Sequence, residues 1–342
     1  MRMAGEIMRS EINEIPAVFQ RLLGAEETFH KISELLNSQT IHSVLVLARG
    51  TSDNAAHFLK YLIETTLGIP VGLTSPSSVT IYNTELHFSN VLVVAISQSG
   101  QSPDLVAYAK AAQDGGATLV SMTNDSGSPL ALNADLHIDL AAGPELAVAA
   151  TKSYAAELLA SYLLVCAWSG KDRDTDELPA IAEKLLSLDI SQPVSECDIR
   201  EEIVILGRGF SYPNAREAAL KIQETNKVSV QGLSTADYLH GPISALTEKT
   251  QVFFIAPDHL PIRSIEDEVR RIRLNFPKVF WFGRGGTPIA GDIEVGGAQA
   301  PNEIIASIAD AVIIQRFVLE LCILNGLDPD SPAGLSKVTL TY

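Results

Sequence analysis

Three short, uninterrupted apolar runs, each stopping at a polar or glycine turn, restrict this chain more than any other feature. Residues 43–48 (Ser-Val-Leu-Val-Leu-Ala) run into Arg49-Gly50-Thr51-Ser52, and a helical pattern follows over 54–67. Residues 91–96 run into Ser97-Gln98-Ser99-Gly100-Gln101-Ser102, and 104–113 reads as the next helix. Residues 117–122 stop at the turn cluster Thr123-Asn124-Asp125-Ser126-Gly127. A strand with one face in water alternates apolar and polar residues, whereas a strand covered on both faces is apolar throughout. Continuous strands alternating with helices therefore predict parallel sheets of the doubly wound α/β class.

The pattern returns roughly 160 positions later, where residues 203–206 (Ile-Val-Ile-Leu) precede Gly207-Arg208-Gly209-Phe210-Ser211 and a helix over 214–224. Both halves deliver Arg-Gly-x-Ser to a helix start. A period this long signals a duplicated domain, since solenoid repeats recur every ~20–50 residues. Apolar runs at 252–256 and 278–282 supply further strands of the second sheet, and 302–324 reads as a long helix. Helical spacing over 8–36, punctuated by Pro16 and Gly24, predicts one or two leading helices. The expected organisation is a helical segment over 1–40, a first domain over 41–180, a second over 195–330 and a tail over 331–342.

Composition excludes several classes of partner. A net charge of −16 repels nucleic-acid backbones and anionic membranes, so a bound anion requires local donors. The longest apolar stretch, 158–168, is well short of the ~20 residues that span a bilayer and reads as a buried helix. Residues 1–16, with three glutamates and no apolar core, do not read as a secretion signal, and Cys166, Cys197 and Cys322 stand apart without metal-ligand or disulfide spacing. These features predict a cytoplasmic, reducing setting with neither a disulfide framework nor a zinc site.

In an open parallel sheet, ligands sit beyond the carboxyl ends of the strands. The loop 97–102 is placed there, with three hydroxyls, a glycine that admits close backbone approach, and a helix start beyond Pro103. Ser102 before Pro103 is also a good helix cap, but three serines around one glycine exceed what a cap needs. The loop is read as an anion site, suited to a phosphate. Gly50-Thr51-Ser52 offers similar donors and fits equally well as a turn in which Ser52 or Asp53 caps the next helix. In Val148-Ala149-Ala150-Thr151-Lys152, Thr151 either caps the following helix or faces the ligand, and Lys152 at a helix start is ordinarily solvated. Glu224 near a helix end and His240 before Gly241-Pro242 have the residue types of a proton-transfer pair. On residue type alone, a solvated glutamate and a turn histidine describe them better.

Together these motifs resemble the sugar isomerase (SIS) domain family, and in particular the isomerase half of glucosamine-6-phosphate synthase. The family's Ser-Gln-Ser-Gly-Glu-Thr loop is matched by Ser97 to Ser102, its Gly-Thr-Ser turn by Gly50 to Ser52, and Val-Ala-Ser-Thr-Lys by Val148 to Lys152, with Ala150 replacing a serine. Its catalytic glutamate and His-Gly-Pro histidine stand sixteen residues apart, as Glu224 and His240 do. A tail lysine is matched in Leu335-Ser336-Lys337-Val338-Thr339.

The resemblance implies two tandem flavodoxin-like SIS domains. It implies substrate contacts from Gly50, Thr51, Ser52, Ser97, Gln98, Ser99, Gly100, Ser102, Val148, Ala150 and Thr151, and catalytic roles for Glu224, His240, Lys337 and Lys221. It reverses the preference for a solvated Glu224 and a turn His240. It also implies a hexosamine phosphate as substrate, no cofactor, and a homodimer in which His240 crosses the subunit interface. About 40 residues precede the first domain, in place of a glutaminase domain. The expected reaction is therefore the synthase's sugar chemistry in reverse, converting glucosamine 6-phosphate to fructose 6-phosphate and ammonia. Fructosamine-phosphate deglycation, plain isomerisation and non-catalytic sugar-phosphate sensing are the alternatives.

Overall fold

The computed structural model describes residues 3–275, 277–332, 334 and 337. Two five-stranded sheets are present, and every pairing in both is parallel. The first contains β1 (Ser43–Leu47), β2 (Val71–Leu73), β3 (Val91–Ser97), β4 (Thr118–Thr123) and β5 (Leu136–Asp139) in the order β2-β1-β3-β4-β5. The second contains β6 (Ile203–Gly207), β7 (Gln231–Ser234), β8 (Gln251–Ile255), β9 (Lys278–Phe282) and β10 (Ile293–Gly296) in the order β10-β9-β8-β6-β7. Read from the β7 edge, the second order repeats the first, so the duplication legible in Arg-Gly-x-Ser extends to the whole sheet. In each, strand order reverses between the first and third strands, which opens a crevice at their carboxyl ends.

Inner strands are where the apolar runs predicted them because both faces are covered: all but the first residue of β3 and all of β6 and β8 are buried. The strands β2, β5, β7 and β10, which lie at the sheet edges, escaped the sequence reading. They are three or four residues long, and Gly72, Gly232 and Glu294 interrupt any apolar run.

The chain divides into two compact, discontinuous units. The unit on the first sheet takes residues from Ala17 to Glu145, from Lys152 to Arg173, and Lys337. The unit on the second takes the residues up to Pro16, Leu146–Thr151, and the chain from Asp174 through the C-terminal helix. Each has one helix buried on every side, Lys152–Ser169 in the first and Glu303–Leu324 in the second. Such helices read as nearly continuous apolar sequence. In the second unit Phe317 meets Phe253 and Phe282 edge-on, with ring centroids 5.6 and 5.0 Å apart.

The leading segment forms three helices, Glu6–Asn13, Ile15–Leu23 and Glu26–Asn37, where one or two were expected. Pro16 falls in the first turn of its helix, where its missing N–H breaks no bond. Asn302 caps the C-terminal helix, its side chain accepting from the Ile305 N–H at 3.0 Å. The three cysteines are buried and unbridged, and no helix among the described residues is long and apolar enough to cross a membrane. Of the tail motif, only Lys337 lies within the described residues.

Candidate active site

In the first unit the serine loop leaves β3 at the crevice, and its own bonds hold it open. Ser97 is buried, and its hydroxyl accepts from the Gly100 N–H at 3.1 Å. The Gln98 carbonyl accepts from the Asn124 N–H at 3.0 Å and the Gly100 carbonyl from the Leu130 N–H at 3.2 Å. Gly100 has φ 62°, and a Cβ there would sit 2.2 Å from Ser128 Oγ, so both conformation and space demand glycine. Gln98, Ser99 and Ser102 remain partly exposed. Ser102 occupies the N-cap position of the helix Pro103–Asp114, yet among the described residues its hydroxyl makes no capping bond. The proline supplies the helix start, which leaves that hydroxyl available beside the positive end of the helix dipole.

The neighbouring turn after β1 departs from the capping reading. The helix begins at Thr51, three residues earlier than expected, and its N-cap is Gly50 with φ 57° and ψ −130°. That conformation is one glycine tolerates and other residues avoid. Ser52 is buried and donates to Glu157 Oε1 at 2.7 Å, so its hydroxyl is engaged within the protein.

Glu145, which sequence reasoning missed, organises the start of the helix Lys152–Ser169. Its carboxylate accepts from the Ser153 N–H at 3.1 Å, from Ser153 Oγ at 2.8 Å and from the Lys337 ammonium at 2.9 Å. The Glu145 side chain is fully buried while Lys337 keeps 24% exposure. A buried carboxylate needs a countercharge, so this pair fixes where the tail lysine stands. Lys152, expected to be solvated, is fully buried.

Val148, Ala150 and Thr151 belong to the second unit. Val148 and Ala150 are partly exposed, and the buried Thr151 accepts on its carbonyl from Gln315 Nε2 at 2.9 Å. Buried Glu11 anchors the same segment by accepting from the backbone N–H groups of Leu146 and Ala147.

The helix Tyr212–Asn226 carries the densest charge cluster. Lys221 is fully buried, its ammonium donating to Glu224 and lying 3.5 Å from Glu217 Oε1. The spacings, four residues back and three forward, put all three groups on one helix face. Glu217 is 1% exposed and Glu224 23%. Two carboxylates thus flank one ammonium, and of the two only Glu224 has an open side from which to exchange a proton. The i−4 spacing of Glu217 was readable in the sequence, but its burial was not. His240 is exposed at the C-cap of the helix Thr235–Leu239, and among the described residues its imidazole makes no hydrogen bond.

The SIS domain family matches residues 39–167 and 199–260. The glutamine–fructose-6-phosphate aminotransferases (isomerising) of Thermotoga maritima and Pyrococcus horikoshii are 31% and 30% identical over 86% and 96% of the chain. The chain covers 51% and 57% of their lengths, so it spans about half of these curated relatives. A Silicibacter pomeroyi structure assigned as a phosphosugar isomerase superposes with TM-score 0.88 at 31% identity, over 96% of this chain and 100% of that one. A glucosamine-6-phosphate deaminase from Thermotoga maritima shares the fold at TM-score 0.70 and 21% identity, over 95% and 99% of the two chains. With its duplicated parallel sheets and a loop of serines and glycine at the first crevice, the chain belongs to the SIS domain family of phosphosugar isomerases.

Proposed function

We propose that this protein is an isomerising deaminase of glucosamine 6-phosphate, producing fructose 6-phosphate and ammonia. The observation that carries the reading is the buried Lys221 held between Glu217 and Glu224, with Glu224 alone partly open. A carboxylate fixed by an ammonium it cannot leave is preorganised as a base, and the ammonium beside it is placed to stabilise negative charge on an enolate-type oxygen.

The first unit supplies phosphate binding through Ser97, Gln98, Ser99, Gly100 and Ser102, with the Gly50–Thr51 backbone beside them. His240, delivered from a partner subunit in a homodimer, assists opening of the sugar ring. Glu224 takes the C2 proton of the open-chain aldehyde, giving an enolamine, and returns a proton to C1. The result is a ketose imine with its C=N bond at C2. Water adds to that carbon, the C–N bond breaks, and ammonia leaves as the ketone forms. Lys337, paired with Glu145, is assigned to stabilising the open-chain sugar. The aminotransferase names of the relatives, which join an amino group to fructose 6-phosphate chemistry, support a nitrogen-bearing substrate.

Purified protein incubated with glucosamine, galactosamine and N-acetylglucosamine 6-phosphates and with fructosamine phosphates, with ammonia and ketose measured together, tests this. Ammonia and fructose 6-phosphate in equal amounts from glucosamine 6-phosphate are expected. Ketose without ammonia would mean a simple isomerase, ammonia only from fructosamine phosphates a deglycase, and binding with no product a sensor.

A further inference from the structure

The repeated Arg-Gly-x-Ser motif places an arginine at the end of the first strand of each sheet, and the two arginines are used differently. Arg49 follows β1, and its Nε donates to Asp104 Oδ2 at 3.0 Å. Asp104 is buried in the first turn of Pro103–Asp114, two residues past Ser102. Arg208 follows β6 and spends a terminal nitrogen, Nη1, on Glu268 Oε1 at 2.8 Å, in the first turn of the helix Glu266–Arg273. The fold therefore builds one ion pair twice, across the same strand reversal. In the first unit the pair engages only Nε, and among the described residues both terminal nitrogens of Arg49 are without partners on a side chain 52% exposed.

A buried carboxylate in the first turn of the helix that ends the serine loop opposes binding of a dianion there. Neutralising it is the first consequence of Arg49. The second is that the guanidinium, held through Nε to a residue two positions past Ser102, keeps both terminal nitrogens uncommitted among the described residues, and their planar fork suits phosphate oxygens. Other candidate cations are committed, since Lys337 pairs with Glu145 and Lys152 is fully buried.

We propose that Arg49 is a phosphate-binding residue of this site and selects the dianion, with Asp104 as its positioning residue; this rests on the phosphosugar reading above. The test is calorimetric binding of glucose 6-phosphate and inorganic phosphate to the full chain across roughly pH 5.5 to 7.5, where the second phosphate proton, with pKa about 6, is lost. Wild-type affinity is expected to rise through this range. Arg49→Gln is expected to weaken both ligands at least tenfold at the upper pH and to flatten the rise. Arg49→Lys, which keeps charge but loses the fork, is expected to weaken them about threefold to tenfold and covers the case in which the glutamine variant does not fold. Arg208→Gln, which removes the twin pair from the other unit, is expected to change neither affinity. If wild type binds and Arg49→Gln, or Arg49→Lys where only that variant folds, binds within twofold with the same pH dependence, Arg49 only ties the helix and the inference falls. If wild type binds neither ligand, the phosphate-site reading falls and takes the inference with it.

Discussion

Asp310 gives the sharpest quantitative prediction because the structure isolates it. It lies within the C-terminal helix, fully buried, with Oδ1 accepting from the Ala298 N–H at 2.6 Å. Oδ2 has no partner among the described residues. Burial, opposed by the Ala298 bond and reinforced by the charge of Asp258, raises its pKa from 3.8 to about 8. The folded protein thus keeps a proton that the unfolded chain releases near pH 4. A carboxyl raised in this way contributes stability that is fully present below the unfolded value and is lost as pH climbs to the folded one. Each pH unit inside that window removes about 1.4 kcal/mol, so between roughly pH 4 and pH 8 the loss reaches about 5 kcal/mol. Asp310→Asn keeps the shape and the acceptor for Ala298 but has no proton to lose. The stability of the variant relative to wild type is therefore expected to rise steadily from pH 4 to pH 8 and then level off. The assay is urea unfolding at several pH values in a Trp168→Phe background. The one remaining tryptophan, Trp281, stacks on Phe254 at 4.8 Å in the unit that holds Asp310. Taking the difference between the two proteins cancels the other titrating groups. A difference flat to within about 1 kcal/mol from pH 5 to pH 8 would show that Asp310 folds ionised and would refute the argument from burial.

Three further outcomes bear on the site. Glu224→Gln keeps a partner for Lys221 but cannot accept the C2 proton, so steady-state kinetics should show kcat lowered about 10²- to 10⁴-fold with KM little changed; full deaminase activity would remove Glu224 from proton transfer. Gly100→Ala forces φ 62° on an alanine and drives its Cβ toward Ser128, so a weaker affinity for inorganic phosphate is expected, with a stability loss of about 1–3 kcal/mol. In a double-mutant cycle, Glu145→Gln and Lys337→Met should be coupled by about 1–3 kcal/mol in thermal or urea unfolding, because each charge is the other's counterion; additive losses would show that the tail lysine gains nothing from Glu145.

Inner strands, the central helices, the duplication and the SIS resemblance could all be read before any coordinates. The reason is that a strand or helix covered on every side is apolar along nearly its whole length, and one-dimensional sequence records that directly. The edge strands Val71–Leu73 and Leu136–Asp139 left no such trace, since backbone pairing to a neighbour holds them and pairing has no composition. The helix start after β1 was misread for a related reason. Ser52 has the chemistry of a cap, but the φ of Gly50 begins the helix at Thr51, and the Ser52 hydroxyl turns to Glu157, 105 positions away.

The serine loop, Glu224, His240 and Lys337 were candidates on residue type and spacing. Tertiary structure alone decided the state of each charge. Sequence could name Lys221 and Lys152 but could not bury them, and it had no reason to select Glu145 or Glu217, ordinary glutamates until folding removes their water and sets an ammonium against each. Burial and long-range pairing are properties of the packed chain, with Glu145 and Lys337 lying 192 residues apart. The sequence determined which chemical groups this protein possesses, and the fold determined which of them are desolvated, neutralised and aimed, because the energy of a charge depends on its surroundings rather than on its neighbours along the chain.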